Sequence, residues 1–242
     1  MIGLVLAAGA GRRLSPDTDR LPKTLLSVGP DTTILDVILA NLVSVGLSDV
    51  SVVVGHAAGA VEQRVSSLQE RHGVRLNLIF NERLDWNNAY SLWCARQAYA
   101  AGALMVNGDT VHPVDVEKAL LAQQGDGLSL AVDVFKPLNE EAMKVRLDRA
   151  GRLERITKRM PAEDGHGEYL GASLIGRGIA GQLTAALEHT WRTDPQEYYE
   201  GGFQVLADQG ADVRAARMGA FDWVEVDDHA DLARAQEIAC HY

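Results

Sequence analysis

The chain opens Met1-Ile2-Gly3-Leu4-Val5-Leu6-Ala7-Ala8-Gly9-Ala10-Gly11-Arg12-Arg13-Leu14-Ser15-Pro16 and runs on to Leu21-Pro22-Lys23. An unbroken apolar run from Ile2 to Leu6 empties into a loop of small residues, then two arginines, then a proline-lysine pair. A buried strand supplies a rigid base, glycines let backbone N–H groups approach an anion closely, and Arg12, Arg13 and Lys23 supply countercharge. The order suits phosphate binding. Two familiar phosphate loops are excluded by residues: Arg-Arg-Leu follows the glycines where a P-loop needs Gly-Lys-Ser/Thr, and Leu14 stands where the dinucleotide fingerprint needs a third glycine.

Outward from this loop, strands and helices alternate. Residues 24–29 read as a short extended piece, closed by a turn at Gly29-Pro30-Asp31. A helix capped by Thr32 or Thr33 follows, with Ile34, Leu35, Ile38, Leu42 and Val45 at helical spacing until Gly46. Residues 50–54 form a β-branched buried strand, 58–72 a helix closed at Gly73, 74–80 a third strand, 89–99 a helix and 103–106 a fourth strand ending at Asn107-Gly108-Asp109. Such alternation predicts an α/β fold: a three-layer, Rossmann-like, mainly parallel mixed sheet with helices on both faces. Ligands of such sheets bind beyond the carboxyl ends of the strands. The glycine loop, the 81–88 loop and Asp109 all fall there.

The second half has another rhythm. Short strands are predicted at 129–134, 144–147, 153–158 and 169–175, with a hairpin turn at 148–151. Helices at 180–191 and 196–208, strands at 213–216 and 223–226, and a helix at 228–239 complete the chain. No internal repeat or linker divides it. The expectation is one domain over 1–242, with a nucleotide-binding half at 1–110 and an acceptor-binding half at 111–242.

A formal net charge of −10 leaves no domain-wide basic field, so nucleic acid is excluded as a partner and an anionic ligand has to be held locally. Cys94 and Cys240 have no metal-type spacing and read as free thiols in a reducing compartment. No apolar run approaches the roughly 20 residues that span a bilayer. The expected location is cytoplasmic with no membrane partner, and a homodimer is left open. His56 and His112 follow strand ends without companions that would complete a triad or a metal cluster, and read as structural.

Asp109 and Asp227 each stand at a strand end, where a carboxylate faces a ligand; the alternative for either is a solvated turn acid. Asp228, with Asp231 three residues on, reads as a helix cap. Taken whole, Leu6-Ala7-Ala8-Gly9-x-Gly11-x-Arg13-Leu14-x-Pro16 with Pro22-Lys23 resembles the signature of nucleotidyltransferases that make nucleoside-diphosphate sugars and alcohols. Asn87-Asn88-Ala89-Tyr90-Ser91-Leu92, Gly108-Asp109 and Glu225-Val226-Asp227 look like the branch containing CTP:phosphocholine cytidylyltransferase and its inositol-phosphate and phosphonate relatives.

That resemblance implies an Mg²⁺-dependent cytidylyltransferase joining CTP to a phospho-alcohol or phosphonate. It implies Asp109 and Asp227 as metal ligands, Leu6 to Arg12 with Asn81, Asn87, Asn88 and Ser91 around the nucleotide, and Arg13 and Lys23 as the catalytic cations. Lys158 is placed on the acceptor's phosphate, with Lys144 as a second such group. Tyr90, Tyr169, Tyr198, Glu197 and Glu200 are expected around the acceptor's organic part, since aromatic faces with carboxylates hold amine headgroups. The rival readings are a sugar-1-phosphate nucleotidyltransferase on the same scaffold and a catalytically silent ligand-sensing domain.

Overall fold

Along the first strand, side chains alternate between two interiors: Val5 and Ala7 enter one hydrophobic core and Leu4 the other. A strand buried on both faces must have a layer of helices on each side. A computed structural model describes residues 1–123 and 125–240. Strand β1 (Ile2–Ala7) leads to the ribbon β2 (Ser27–Gly29) and β3 (Thr32–Thr33), then α1 (Ile34–Ser44), β4 (Asp49–Val54), α2 (Ala58–Glu62), α3 (Val65–His72) and β5 (Arg75–Phe80). Helix α4 (Asn88–Cys94), β6 (Ala103–Asn107), β7 (Thr110–Val111) and α5 (Asp115–Leu121) end the first half. The second adds β8 (Leu128–Asp133), β9 (Lys144–Leu147), β10 (Leu153–Thr157), β11 (Gly167–Ile175), α6 (Ala180–Thr193), α7 (Tyr199–Asp208), β12 (Val213–Arg217), β13 (Val224–Glu225) and α8 (His229–Ala239).

The main sheet has the order β10-β9-β11-β6-β1-β4-β5, with β8 joining β11 and β12 joining β8. Pairing is parallel from β6 through β1 and β4 to β5, and β11 and β10 run against the other strands. The result is a mainly parallel mixed sheet. Helices α1, α3, α5 and α8 cover one face, and α4, α6 and α7 the other. Among the described residues, no helix is long and apolar enough to cross a membrane.

Local chemistry explains the starts of two helices. Thr33 and Asp36 form a reciprocal capping box on α1, and Asp228 and Asp231 form one on α8. Four expected elements differ. Residues 23–25 make a 3₁₀ turn rather than extended chain, with Leu26 N–H reaching Lys23 O, so Lys23 points from a rigid turn. The helix expected at 58–72 is two, because Arg64 N–H bonds Val61 O in a tightened turn between them. The helix expected at 89–99 tightens into 3₁₀ turns after Cys94. The helix expected from 196 begins at Tyr199, because Asp194 Oδ1 accepts Gln196 N–H and the backbone around Pro195 is bonded to the 81–88 loop.

Candidate active site

Three loops meet beyond the carboxyl end of the parallel strands. Gly11 adopts a left-handed conformation (φ 58°), and a side chain there would strike Lys23 Cγ at 2.6 Å. Gly108 donates its N–H to Leu6 O at 2.8 Å, and a Cβ on it would meet that same oxygen. Glycine at these two places lets the β1 and β6 loops and Lys23 close on one small cleft. Gly9, Arg12, Arg13, Asp109 and Asp227 complete its wall.

The acids come from a separate two-stranded ribbon, in which β7 pairs antiparallel with β13 and Val226 N–H bonds Asp109 O. Alternation along β13 buries Val224 and Val226 and sends Glu225 and Asp227 to the other side. Carboxylate oxygens of Asp109, Glu225 and Asp227 all lie within 4.8 Å of one another. Glu225 is the site residue that sequence reasoning left out of the ligand set, although this period-of-two pattern marks it.

Cations hold the cluster. Lys23 Nζ donates to Asp227 Oδ1 at 2.6 Å and to Asp109 Oδ2 at 3.1 Å, and Arg13 meets the other Asp227 oxygen at 2.6 Å. Burial works against the Lys23 ammonium, but Asp109 and Asp227 override it and hold its pKa above the ordinary lysine value. Burial likewise opposes the Asp227 charge, and Lys23 and Arg13 together pull its pKa below the usual carboxylate range. Glu225 reaches solvent through the cleft mouth, yet protein surrounds it on most sides. That burial, with the charges of Asp109 and Asp227, pushes it up to about 8. An all-oxygen set of carboxylates fits Mg²⁺, which takes one or two carboxylates plus phosphate oxygens and water.

Alongside lies a larger cleft of about 590 Å³, lined by the 8–12 loop, the 81–88 loop and Ser91. Its asparagines are largely committed to structure. Asn81 Nδ2 donates to Ser91 Oγ while Asn81 Oδ1 accepts Arg83 N–H. Asn87 Oδ1 accepts Asn88 N–H as the α4 cap, and its Nδ2 donates to Gln196 O. Asn88 Oδ1 accepts Tyr199 N–H. Gln196, a residue sequence reasoning passed over, also donates from Nε2 to Asp85 O. The strap around Gln196 thus joins the 81–88 loop to the second half of the chain.

A further cavity of about 420 Å³ adjoins this cleft, with Gln196 and Tyr198 in both walls. Lys158, Glu197 and Glu200 line it. Lys158 Nζ lies 5.6 Å from the Tyr198 ring and 4.0 Å from Glu141. Three expected acceptor residues are elsewhere. Lys144 is 1% exposed, and its ammonium is saturated by the carbonyls of Asn139, Glu140 and Ala142 at 2.8, 3.1 and 3.1 Å. Tyr169 is buried under the floor, its hydroxyl bonded to Ser173 and Tyr199. Tyr90 packs edge-on against Trp86 and Trp191 in an aromatic cluster. A strand lysine and a strand tyrosine look alike in sequence whether they face a cavity or a core.

Residues 3–192 match the model of the MobA-like NTP transferase domain. The bifunctional IPC transferase and DIPP synthase of Aquifex aeolicus is 27% identical over 236 residues, covering 97% of this chain and 50% of that protein. The CMP-5'-(3-aminopropyl)phosphonate synthase of Streptomyces rubellomurinus is 30% identical over 243 residues, covering 96% of this chain and 38% of that protein. The chain thus spans half or less of the length of these relatives. The solved inositol-1-phosphate CTP transferase from T. maritima superposes with a TM-score of 0.82 at 21% identity, over 98% of this chain and 94% of that one. The glycine loop, its paired cations and the acidic ribbon sit on the same scaffold, and the chain belongs to the MobA-like NTP transferase domain family.

Proposed function

We propose that the cleft transfers CMP from CTP to a small phospho-alcohol or phosphonate, with release of pyrophosphate. The observation that carries this reading is the arrangement of Arg13 and Lys23 against the Asp109, Glu225 and Asp227 carboxylates at the mouth of the glycine loop. Cations and a cation-binding acid cluster side by side are what a triphosphate with its metal requires. The choice of CTP and of a phosphorylated acceptor draws on the activities named for the similar proteins.

An acceptor oxygen attacks the α-phosphorus in line. The bond from that phosphorus to the α–β bridging oxygen breaks, and the electron pair leaves with pyrophosphate. A phosphate or phosphonate oxygen is already anionic, so positioning and charge neutralisation carry the step. Loop N–H groups from Gly9 to Arg13 would hold the triphosphate, with Arg13 and Lys23 on its oxygens. Asp109, Glu225 and Asp227 would hold Mg²⁺, which when bound neutralises charge on the triphosphate. Lys158 would draw the acceptor's anionic end toward the ribbon, since its charge acts on Glu225.

The test is pyrophosphate release with Mg²⁺ and each of CTP, UTP, dTTP, GTP and ATP against phosphocholine, 2-aminoethylphosphonate, inositol 1-phosphate, glycerol 3-phosphate and glucose 1-phosphate. Release with CTP and a phospho-alcohol or phosphonate is expected. Release only with glucose 1-phosphate, or only with another nucleotide, would move the protein to the sugar branch. No release in any combination would favour a silent ligand-binding domain.

A further inference from the structure

The floor of the larger cleft is built around one amide that is not among the expected site residues. Asn107 ends β6 two residues before Asp109, and alternation turns its side chain to the face that carries Met105. Strand β11 runs beside it with a bulge: its register against β8 shifts between Tyr169 and Ser173, and Gly171 inside the bulge takes a φ of 84°. A Cβ on Gly171 would stand 2.6 Å from Asn107 Nδ2 and 3.0 Å from its Cγ, so the bulge makes room for the amide. Tyr199 fixes the way that amide faces. Its hydroxyl donates to Asn107 Oδ1 at 2.9 Å and lies 3.2 Å from the Tyr169 hydroxyl, which is itself 2.8 Å from Ser173 Oγ. Asn107 Nδ2 has no acceptor among the described residues, yet it is not sealed off from solvent, and the half-buried residue lines the cleft.

We infer that Asn107 Nδ2 donates to a ribose hydroxyl oxygen of the nucleotide, with Asn107 the specificity residue and Tyr199 the residue that positions it. This rests on the nucleotidyl-transfer reading of the site. Placement selects the ribose. Asn107 lines the larger cleft, but neither the small cleft of Lys23 and Asp227 nor the cavity of Lys158. With phosphates on the glycine loop and the base toward the 81–88 loop, the sugar is the part of a nucleotide that crosses between them, past the end of β6. The chemistry fits as well: a free amide N–H needs an accepting oxygen, and each ribose hydroxyl has lone pairs to offer.

Asn107 differs from an asparagine that only holds the fold. Asn81 is satisfied at both ends, by Ser91 and by the Arg83 N–H, whereas Asn107 is satisfied only at the end that faces protein. Three elements are spent on holding it: β6 supplies the amide, β11 the glycine and α7 the tyrosine. Tyr199 is fully buried, so it acts on a ligand only through Asn107. A nucleotide without the hydroxyl leaves Nδ2 unpaired beneath the ligand, and a site built to bond a hydroxyl rejects such an analogue more sharply than an apolar pocket does.

The experiment is calorimetric binding of CTP, 2′-deoxy-CTP and 3′-deoxy-CTP to the full chain with Mg²⁺ and no acceptor, with thermal unfolding of each variant as the check on folding. The wild type should bind CTP about tenfold or more tightly than one of the two deoxynucleotides, and that nucleotide names the hydroxyl. In Asn107→Ala, and in Asn107→Leu, which fills the same space, the preference should vanish. In Tyr199→Phe the amide stays but loses its anchor, and the preference should fall by about threefold or more. Equal binding of the three nucleotides by the wild type, no binding of any of them, an intact preference in the Asn107 variants, or one common loss of affinity for all three overturns the inference. The outcomes separate from those of the assigned reaction. Pyrophosphate release without ribose discrimination sinks only this inference, whereas ribose discrimination without pyrophosphate release sinks only the reaction.

Discussion

The Lys23 ammonium sits between two carboxylates, 2.6 Å from Asp227 and 3.1 Å from Asp109, with Arg13 on the remaining Asp227 oxygen. The groups expected to hold phosphates and those expected to hold a cation therefore hold each other. On the proposed reading, a triphosphate arriving with its metal would exchange these partners, the cations passing to phosphate oxygens and the acids to the metal. Two consequences follow for Lys23→Met. Turnover should fall by about 10²–10³-fold, the usual scale for losing a group that stabilises developing charge. Binding of Mn²⁺ in the absence of nucleotide, followed by electron paramagnetic resonance, should tighten about tenfold, because the competitor for Asp109 and Asp227 is gone. Unchanged turnover with unchanged Mn²⁺ affinity would remove Lys23 from the site.

Stability should depend on pH through Glu200 in a defined direction. Its folded pKa, about 7, lies above its ordinary value of 4.5. Well below 4.5 both folded and unfolded chains carry the proton, and the group has no differential effect. As pH rises the unfolded chain ionises first, so stability is lost between about 4.5 and 7. The full loss is about 3 kcal/mol at pH 8. Comparing the wild type with Glu200→Gln in urea unfolding at pH 5 and pH 8 isolates this group. The variant should be the more stable protein at pH 8, and parallel curves would refute the buried charge.

Lys144 and Lys158 should separate by what they damage. Removing the Lys144 ammonium strands three carbonyls that it saturates in the interior, so Lys144→Met should cost about 3 kcal/mol in unfolding free energy. Lys158 is partly exposed and is held by a 4.0 Å contact with Glu141. Lys158→Ala should leave stability within about 0.5 kcal/mol and raise the acceptor KM by about tenfold or more. The reverse pattern would exchange the two assignments.

The fold and the acidic positions were readable where local periodicity and tertiary role coincide. Alternation of β-branched runs with amphipathic helices predicts the layers, and a strand ending in Asn107-Gly108-Asp109 predicts a carboxylate over the cleft. Glu225 is equally readable from the alternation of Val224 and Val226, which turns it to the same side as Asp227. Other roles depend on which way a nearby turn aims its carbonyls, or on distant partners, and spacing encodes neither. Lys144 is a structural cation because Asn139, Glu140 and Ala142 turn their carbonyls inward, and Asn88 serves Tyr199, which lies in the other half of the chain. Helix α7 starts late for the same reason. Its expected first residues are used by the 81–88 loop.

That use gives a test of whether the asparagines read the base or hold the loop. Asn87 N–H bonds Pro195 O, Asn87 Nδ2 bonds Gln196 O, and Gln196 Nε2 bonds Asp85 O at 2.8 Å. If these bonds set the loop's position, Gln196→Ala and Asn87→Ala act alike: each raises the KM for CTP by about 3–10-fold and that for UTP by the same factor, leaving nucleotide preference unchanged. Asn87→Ala should also cost about 1 kcal/mol of stability through the lost cap of α4, a cost that Gln196→Ala avoids. A base-reading Asn87 would behave differently. Its removal would shift the ratio of CTP to UTP, and Gln196→Ala would leave that ratio alone, so steady-state kinetics of the two variants with both nucleotides separate anchoring from recognition.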